Sequence, residues 1–307
     1  MKTELVCGVA LCVCASAVFS VDNTAAGKSG AKLEHVLVTV PLHKANTDTA
    51  FPVDILNGDA LSRKAAATLG DTLSNLPGIT NASFGPGVGQ PVIRGLQGPR
   101  VMVLQNGTRS ADVSSLSADH AVAVEALLAD SIEVLRGPAT LLYGGGAIGG
   151  VVNVIDGRIP TVRISDTAVV AEYRYEGSSD ANIGVIRGDF GSGDFAWHAD
   201  FMSREGHDVR VPNGTGSEDG DSLENTDRDA WSGTLGGSYH VGESFFGIAV
   251  ARIDNNYGLP AGTHEDHADD PADVLIDSGA AEGGHEESGI RLDMAQNRYD
   301  AGLHLHK

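Results

Sequence analysis

The feature that most constrains this chain is a strict alternation of apolar and polar side chains in its second half. In the clearest stretch, Phe195, Trp197 and Phe201 alternate with His198 and Asp200. Alternation with a period of two predicts β-strands with one apolar and one polar face. Six such segments are predicted, at residues 162–176, 181–190, 195–205, 229–240, 245–256 and 296–307.

The length of these segments and of their connections favours a transmembrane barrel. A tilted strand of about ten residues crosses a bilayer. Residues 191–194 and 241–244 form tight turns, whereas 206–228 and 257–295 are long and polar. Short turns on one side and long loops on the other are typical of outer-membrane barrels, although a soluble β-sandwich also alternates. Six strands cannot close around a separate domain, so we expect an incomplete barrel and a fragmentary or truncated chain.

The N-terminal residues predict export. Residues 1–20 hold a short apolar run behind Lys2 and read as a signal peptide, with a buried N-terminal helix as the alternative. All three cysteines lie in this segment, so the mature chain has no disulfide, thiolate metal site or cysteine nucleophile. The net charge of −20 disfavours nucleic acid and favours cationic ligands. No convincing nucleophile–base pair is present, so we expect a protein that is not an enzyme.

Residues 21–50 form a polar leader that includes a β-prone run, Leu33 to Val40, closed by Pro41. Such a run suits pairing with the sheet edge of another protein, or it is an ordinary first strand. Residues 51–160 mix helical and strand patterns and predict a small α+β domain. We expect helices over 59–76 and near 121–129, and strands at 91–94, 101–105, 132–136 and 150–155.

The most specific motif runs from Ser131 to Val154 and contains Arg-Gly-Pro followed by a Gly-rich bend. It resembles the end of the plug domain of TonB-dependent outer-membrane receptors. An earlier Arg-Gly pair and the Leu76-Pro77-Gly78 stop match that family in the correct order. The motif positions are Arg94, Gly95, Arg136, Gly137, Pro138, Tyr143 and Gly144. The segment that resembles the TonB box consists of Glu34, His35, Val36, Leu37, Val38, Thr39 and Val40.

The resemblance implies an α+β plug domain at 51–160 and the N-terminal part of a TonB-dependent β-barrel at 161–307. It further implies a Gram-negative outer-membrane location in contact with lipid, and TonB with its inner-membrane energy complex as partner. Transport by such a receptor needs no cofactor. The chain is also similar to the zinc-uptake subgroup, through residues 117–121, 154–160 and 257–260.

Two groups of residues are candidate metal ligands. Between His264 and Glu287 the chain has three histidines (His264, His267, His285), nine acidic residues and no Lys or Arg. Imidazole with carboxylate suits zinc and related divalent ions. The histidines are fewer than in the histidine-dense versions of this loop, and a solvated acidic loop is the alternative.

Asp119 and His120 form the second group. They supply two further ligands, or Asp119 caps a helix that starts near Ala121. We therefore expect a receptor for zinc, another divalent metal ion or a metal chelate. A siderophore or haem receptor, and a plug-only periplasmic binding or signalling product, are the alternatives.

Overall fold

The computed structural model describes residues 52–110, 113–212, 222–260 and 289–306. The predicted signal peptide, the TonB-box segment 34–40 and the loop histidines His264, His267 and His285 lie outside the described residues. Within the described ranges, no helix has both the length and the apolar character that a membrane-spanning helix needs.

The first half of the described chain is an α+β unit, which we call the plug (residues 52–160). Its strands are β1 Val53–Asn57, β2 Ile79–Ser83, β3 Gly89–Ile93, β4 Val101–Gln105, β5 Thr108–Arg109, β6 Ser131–Leu135 and β7 Gly150–Ile155. Five of them form a sheet in the order β1-β6-β7-β4-β5, in which only β4 and β7 run parallel. Strands β2 and β3 form a separate hairpin.

The predicted helix over 59–76 is two helices, α1 Gly58–Lys64 and α2 Leu69–Leu73. The break comes at Thr68, which has an extended backbone and caps α2 by accepting a hydrogen bond from the Asp71 backbone N–H at 3.1 Å. The prediction of the buried face was correct, because Leu61, Leu69 and Leu73 are all in the core. The spacing of apolar residues predicts which face of the helices is buried. The break between α1 and α2 depends instead on the local hydrogen bonds of Thr68.

The predicted helix near 121–129 is wrong. The helical part of this segment is one 3-10 turn, Ala126–Leu128. The backbone N–H of Leu127 donates a hydrogen bond to the Glu125 side chain at 3.1 Å. Val124 and Leu128 belong to one apolar cluster with Ile132 of the plug and Met202 of the second half. The segment is buried between two layers, so its apolar residues do not mark one face of a helix.

The second half is a six-stranded antiparallel sheet, which we call the wall. Its strands are β8 Ala168–Glu176, β9 Ala181–Ser192, β10 Phe195–Gly206, β13 Arg228–Val241, β14 Ser244–Leu259 and β15 Ile290–His304, and a small hairpin of β11 Val209–Arg210 and β12 Ser222–Leu223 lies between β10 and β13. Each wall strand pairs with its neighbours in chain order, with β8 and β15 at the edges. The predicted fold class, an α+β plug followed by six strands of an unclosed barrel, is confirmed.

The two faces of the wall have opposite environments. Outward side chains are apolar and exposed, including Trp197 at 48%, Leu235 at 57% and Ile248 at 58%. Inward side chains such as His198 and Arg204 are polar and buried beneath the plug. A soluble sandwich buries its apolar faces, so this arrangement agrees with the barrel prediction and not with the sandwich.

Candidate functional site

A turn at residues 117–120 brings Asp119 and His120 to the end of the wall from which the long connections leave. Gln90 of β3 donates hydrogen bonds from Nε2 to the carbonyl oxygens of Ser117 and His120, both at 2.9 Å. The backbone N–H of Ala121 donates to the Tyr257 hydroxyl at 2.9 Å. Tyr257 lies on β14 just before the long loop begins, so this turn is fixed to both the plug and the loop end of the wall.

Asp119 and His120 are in direct contact. His120 Nδ1 lies 2.9 Å from Asp119 Oδ1, and the Ser117 hydroxyl donates to the same oxygen. The hydrogen bond from Ser117, together with the contact with His120, lowers the pKa of Asp119. The predicted helix cap is wrong, because no helix begins at Ala121 and Asp119 instead bonds Ser117 and His120.

A cavity of about 370 Å³ adjoins this turn. It is lined by His120, Tyr257, Leu292, Asp293, Met294 and Gln296, with smaller apolar residues. Within the described ranges, no three His, Cys, Asp or Glu side chains are placed to hold a metal ion together. The structure therefore brings Asp119 and His120 together, and the other three predicted ligands belong to the loop that it does not describe.

The Arg-Gly-Pro motif contacts two separate parts of the plug, strand β1 and the Leu76-Pro77-Gly78 element. The Arg136 guanidinium forms an ion pair with Asp54 of β1 and donates to the carbonyl oxygen of Pro77, while its backbone N–H donates to Pro52 at 3.1 Å. Gly137 has a positive φ of 83°, which favours glycine at this turn. Arg136 thus ties the strand that follows the leader to the Leu-Pro-Gly stop.

The segment after this turn is a 3-10 helix, Pro138–Tyr143, that ends at Gly144 with φ 90°. Tyr143 packs against the cluster of Leu104, Leu135, Ala147 and Val151. Burial raises the pKa of the Tyr143 hydroxyl, and the nearby charge of Glu133 adds to this effect. These motif positions have structural roles inside the plug.

The Arg94-Gly95 pair forms a tight turn at the end of β3. Both residues have positive φ, 51° and 78°, and Ile93 and Leu96 exchange backbone hydrogen bonds across them. The Arg94 backbone N–H donates to Gly78 at 2.9 Å. The two motifs therefore meet at the Leu-Pro-Gly element.

Charged contacts between plug and wall were not predicted from the sequence. Arg204 of β10 lies 3.2 Å from Glu125 of the plug, and both side chains are buried. Arg174 of β8 donates to the carbonyl oxygen of Ser62 at the end of α1, at 2.8 Å. The sequence did contain one indication of these contacts. Each arginine lies at an inward position of its alternating strand, and a buried charge requires a partner.

Comparisons with known proteins identify the family of the plug domain. Residues 45–151 match the family model of the TonB-dependent receptor plug domain. The chain is 27% identical over 261 residues to the vitamin B12 transporter BtuB of Photobacterium profundum, covering 80% of this chain and 39% of that protein. It is 35% identical over 111 residues to the hemin receptor of Yersinia pestis, covering 36% of this chain and 16% of that receptor.

The solved structure of the copper transporter OprC is similar in fold. Its TM-score is 0.57 at 20% identity, over 68% of this chain and 31% of that chain. In this chain, a plug lies on the polar face of an antiparallel wall, and the likeness is one of fold. Residues 45–151 are a plug domain of the TonB-dependent receptor family. The chain spans only 39% of the length of the B12 transporter.

Proposed function

We propose that this chain is the N-terminal part of an exported outer-membrane receptor that takes up a divalent metal, with zinc as the first candidate. The observation that carries this proposal is the Asp119–His120 pair, held by Gln90 and Tyr257 beside a cavity at the long-loop end of the wall. The loop that leaves this end carries His264, His267 and His285 among nine acidic residues. Imidazole and carboxylate groups from both regions form a donor set that suits zinc.

Energy for release of the ligand comes, in this proposal, from a TonB-type partner that binds residues 34–40 by strand addition. That segment lies shortly before β1 in the chain, and β1 is the edge strand of the plug sheet. A pull on the leader is therefore applied first to β1. Outer-membrane lipid would contact the apolar outward face of the wall.

Zinc binding by residues 21–307, which lack the three cysteines of the predicted signal peptide, tests the metal proposal by calorimetry in detergent micelles. We expect the triple variant His264→Ala, His267→Ala and His285→Ala to bind zinc at least roughly 10-fold more weakly, because three imidazole ligands are removed. His120→Ala should weaken binding by a similar factor.

A matched control is His304→Ala, because His304 is exposed on β15 near the tight-turn end. Unchanged affinity in the triple variant would remove the loop from the proposal, and unchanged affinity in His120→Ala would remove the plug turn. Loss of affinity in the control alone would point to a different zinc site.

A haem or siderophore receptor is the second candidate. It is favoured by the 35% identity to the hemin receptor, which falls on 36% of this chain. Titration with haem, followed by its absorption spectrum, separates the two candidates. Haem binding that His120→Ala abolishes, without zinc binding by the same protein, would favour the second.

A further inference from the structure

A second, smaller cavity of about 30 Å³ lies between the plug and the inward face of the wall. On the wall side it is lined by Asp200 of β10 and by Ser232 and Thr234 of β13. Asp200 pairs directly with Thr234 across the two strands, and Ser232 lies two residues from Thr234. Residues at these positions share one face of a sheet, so one carboxylate and two hydroxyls meet at the cavity.

One of the two carboxylate oxygens of Asp200 has no hydrogen-bond partner among the described residues. Its side chain is only 1% exposed, and its Oδ2 lies 2.9 Å from His198 Nε2. The other oxygen, Oδ1, is buried and has no hydrogen-bond partner among the described residues. A buried carboxylate oxygen without a partner is costly, so a bound ligand at this position would satisfy it.

The charges around the cavity leave a negative excess at Asp200. Three arginines line the cavity, and each has a carboxylate partner: Arg158 is paired with Asp156 and Asp300, Arg298 with Asp300, and Arg252 with Asp254. Glu125 of the plug is likewise paired with Arg204.

His198, by contrast, is shared by two carboxylates, with Asp189 at 2.8 Å and Asp200 at 2.9 Å. Even with a protonated ring, this group of three carries one net negative charge. A cation is therefore favoured in the cavity over an anion.

We propose that this cavity binds one alkali cation of the size of Na⁺, through Asp200 Oδ1 and the hydroxyl oxygens of Ser232 and Thr234. Carboxylate and hydroxyl oxygens are hard ligands that suit hard cations, and a single carboxylate matches a single charge. The volume is about that of one water molecule in the liquid, so the ion enters with little of its hydration shell. His198 is a positioning residue, because it occupies Oδ2 and leaves Oδ1 for the ion.

The test is the thermal unfolding of the full chain in detergent micelles, in Na⁺ and in N-methyl-D-glucamine at equal ionic strength. A cation that binds only the folded state raises its unfolding midpoint. We expect a higher midpoint in Na⁺ for the natural chain and no such difference for Asp200→Asn or Thr234→Val. Ser203→Ala, an exposed position on the same strand β10, should keep the full Na⁺ effect.

Broadening of the ²³Na resonance by the natural chain, lost in Thr234→Val, is the second readout. If Asp200→Asn does not fold, Thr234→Val and Ser232→Ala decide the question by the same two measurements. A cavity that holds water alone would show neither a Na⁺-specific midpoint nor broadening, and this overturns the proposal. Equal Na⁺ effects in the natural chain and in Thr234→Val overturn it as well.

Discussion

Arg158 fastens the end of the plug to the last described strand of the wall. Its guanidinium is buried and contacts Asp156 and, at 2.9 Å, Asp300 of β15. Burial opposes the charge of Arg158, but the two carboxylates raise its pKa overall. Burial likewise opposes ionisation of Asp156, yet hydrogen bonds from Arg158 and Asn106 lower its pKa below the ordinary value of 3.8. Both groups are therefore charged at neutral pH.

Replacement of Asp156 should make stability less dependent on acid pH. The carboxylate stabilises the fold fully above its ordinary pKa, and this contribution is lost as the pH falls through the lowered folded value. We expect Asp156→Asn to reduce the free energy of unfolding by about 3 kcal/mol at pH 7, because a buried guanidinium loses a charged partner. The difference from the natural chain should shrink below about pH 4.

Denaturant unfolding monitored by tryptophan fluorescence at several pH values measures this difference. Asp166→Asn is the control, because Asp166 is exposed in the connection before β8. A difference between Asp156→Asn and the natural chain that stays constant from neutral to acid pH would contradict the account.

At the scale of elements, the wall strands were predictable and the plug helices were not. Most wall strands have one environment on each face over much of their length, as β10 and the first half of β13 do, so a period of two identifies them from sequence. The segment 121–129 contacts apolar residues in two layers, which removes any single-face pattern. The break at Thr68 depends on one side-chain cap, which a pattern of apolar residues does not contain.

Strand β1 pairs with one neighbouring strand, β6, and its Asp54 forms an ion pair with Arg136. It lies at the edge of the plug sheet and pairs only with β6 among the described strands. We expect Asp54→Asn to speed hydrogen exchange of the β1 amides roughly 10-fold, because a charge-assisted contact worth about 1.5 kcal/mol is lost. The amides of β4 and β7, inside the sheet, should keep their rates.

Hydrogen exchange followed by mass spectrometry on peptides from 52–60 measures the effect. Asp59→Asn removes the same charge from the exposed first turn of α1 and serves as control. If β1 exchanges equally fast in both variants, the Arg136 contact does not hold this strand.

For the whole molecule, the sequence predicted the layers but not the contacts that join them. The outward apolar face followed from alternation alone. One part of the candidate site was predictable from the sequence, since Asp119 and His120 are neighbours in the chain. The contacts that hold this pair in place were not predictable. Tyr257 meets the N–H of Ala121 across 136 positions, and Arg204 meets Glu125 across 79. No local pattern encodes pairings at such separations, which arise only once the plug lies on the wall.

The outward face leads to a last prediction about lipid. If this face contacts bilayer hydrocarbon, a charge placed within it is expensive, whereas a charge above it is not. Leu235 lies within the apolar band of β13, and Asp229 lies on the same face of the same strand, towards the long-loop end. We expect Leu235→Arg to weaken partition into neutral phosphatidylcholine vesicles by about 2 kcal/mol, or roughly 30-fold, as vesicle flotation measures.

Asp229→Arg should leave partition nearly unchanged, and neutral vesicles exclude an attraction between arginine and anionic lipid. Both variants introduce arginine on the same face of one strand, but Leu235→Arg places a charge within the apolar band, whereas Asp229→Arg exchanges one charged side chain for another above it. Equal loss of partition in both would mean that the apolar band does not enter the bilayer in this orientation. A loss confined to Leu235→Arg would assign the exposed apolar face to lipid and leave the polar, plug-covered face as the inside of the barrel.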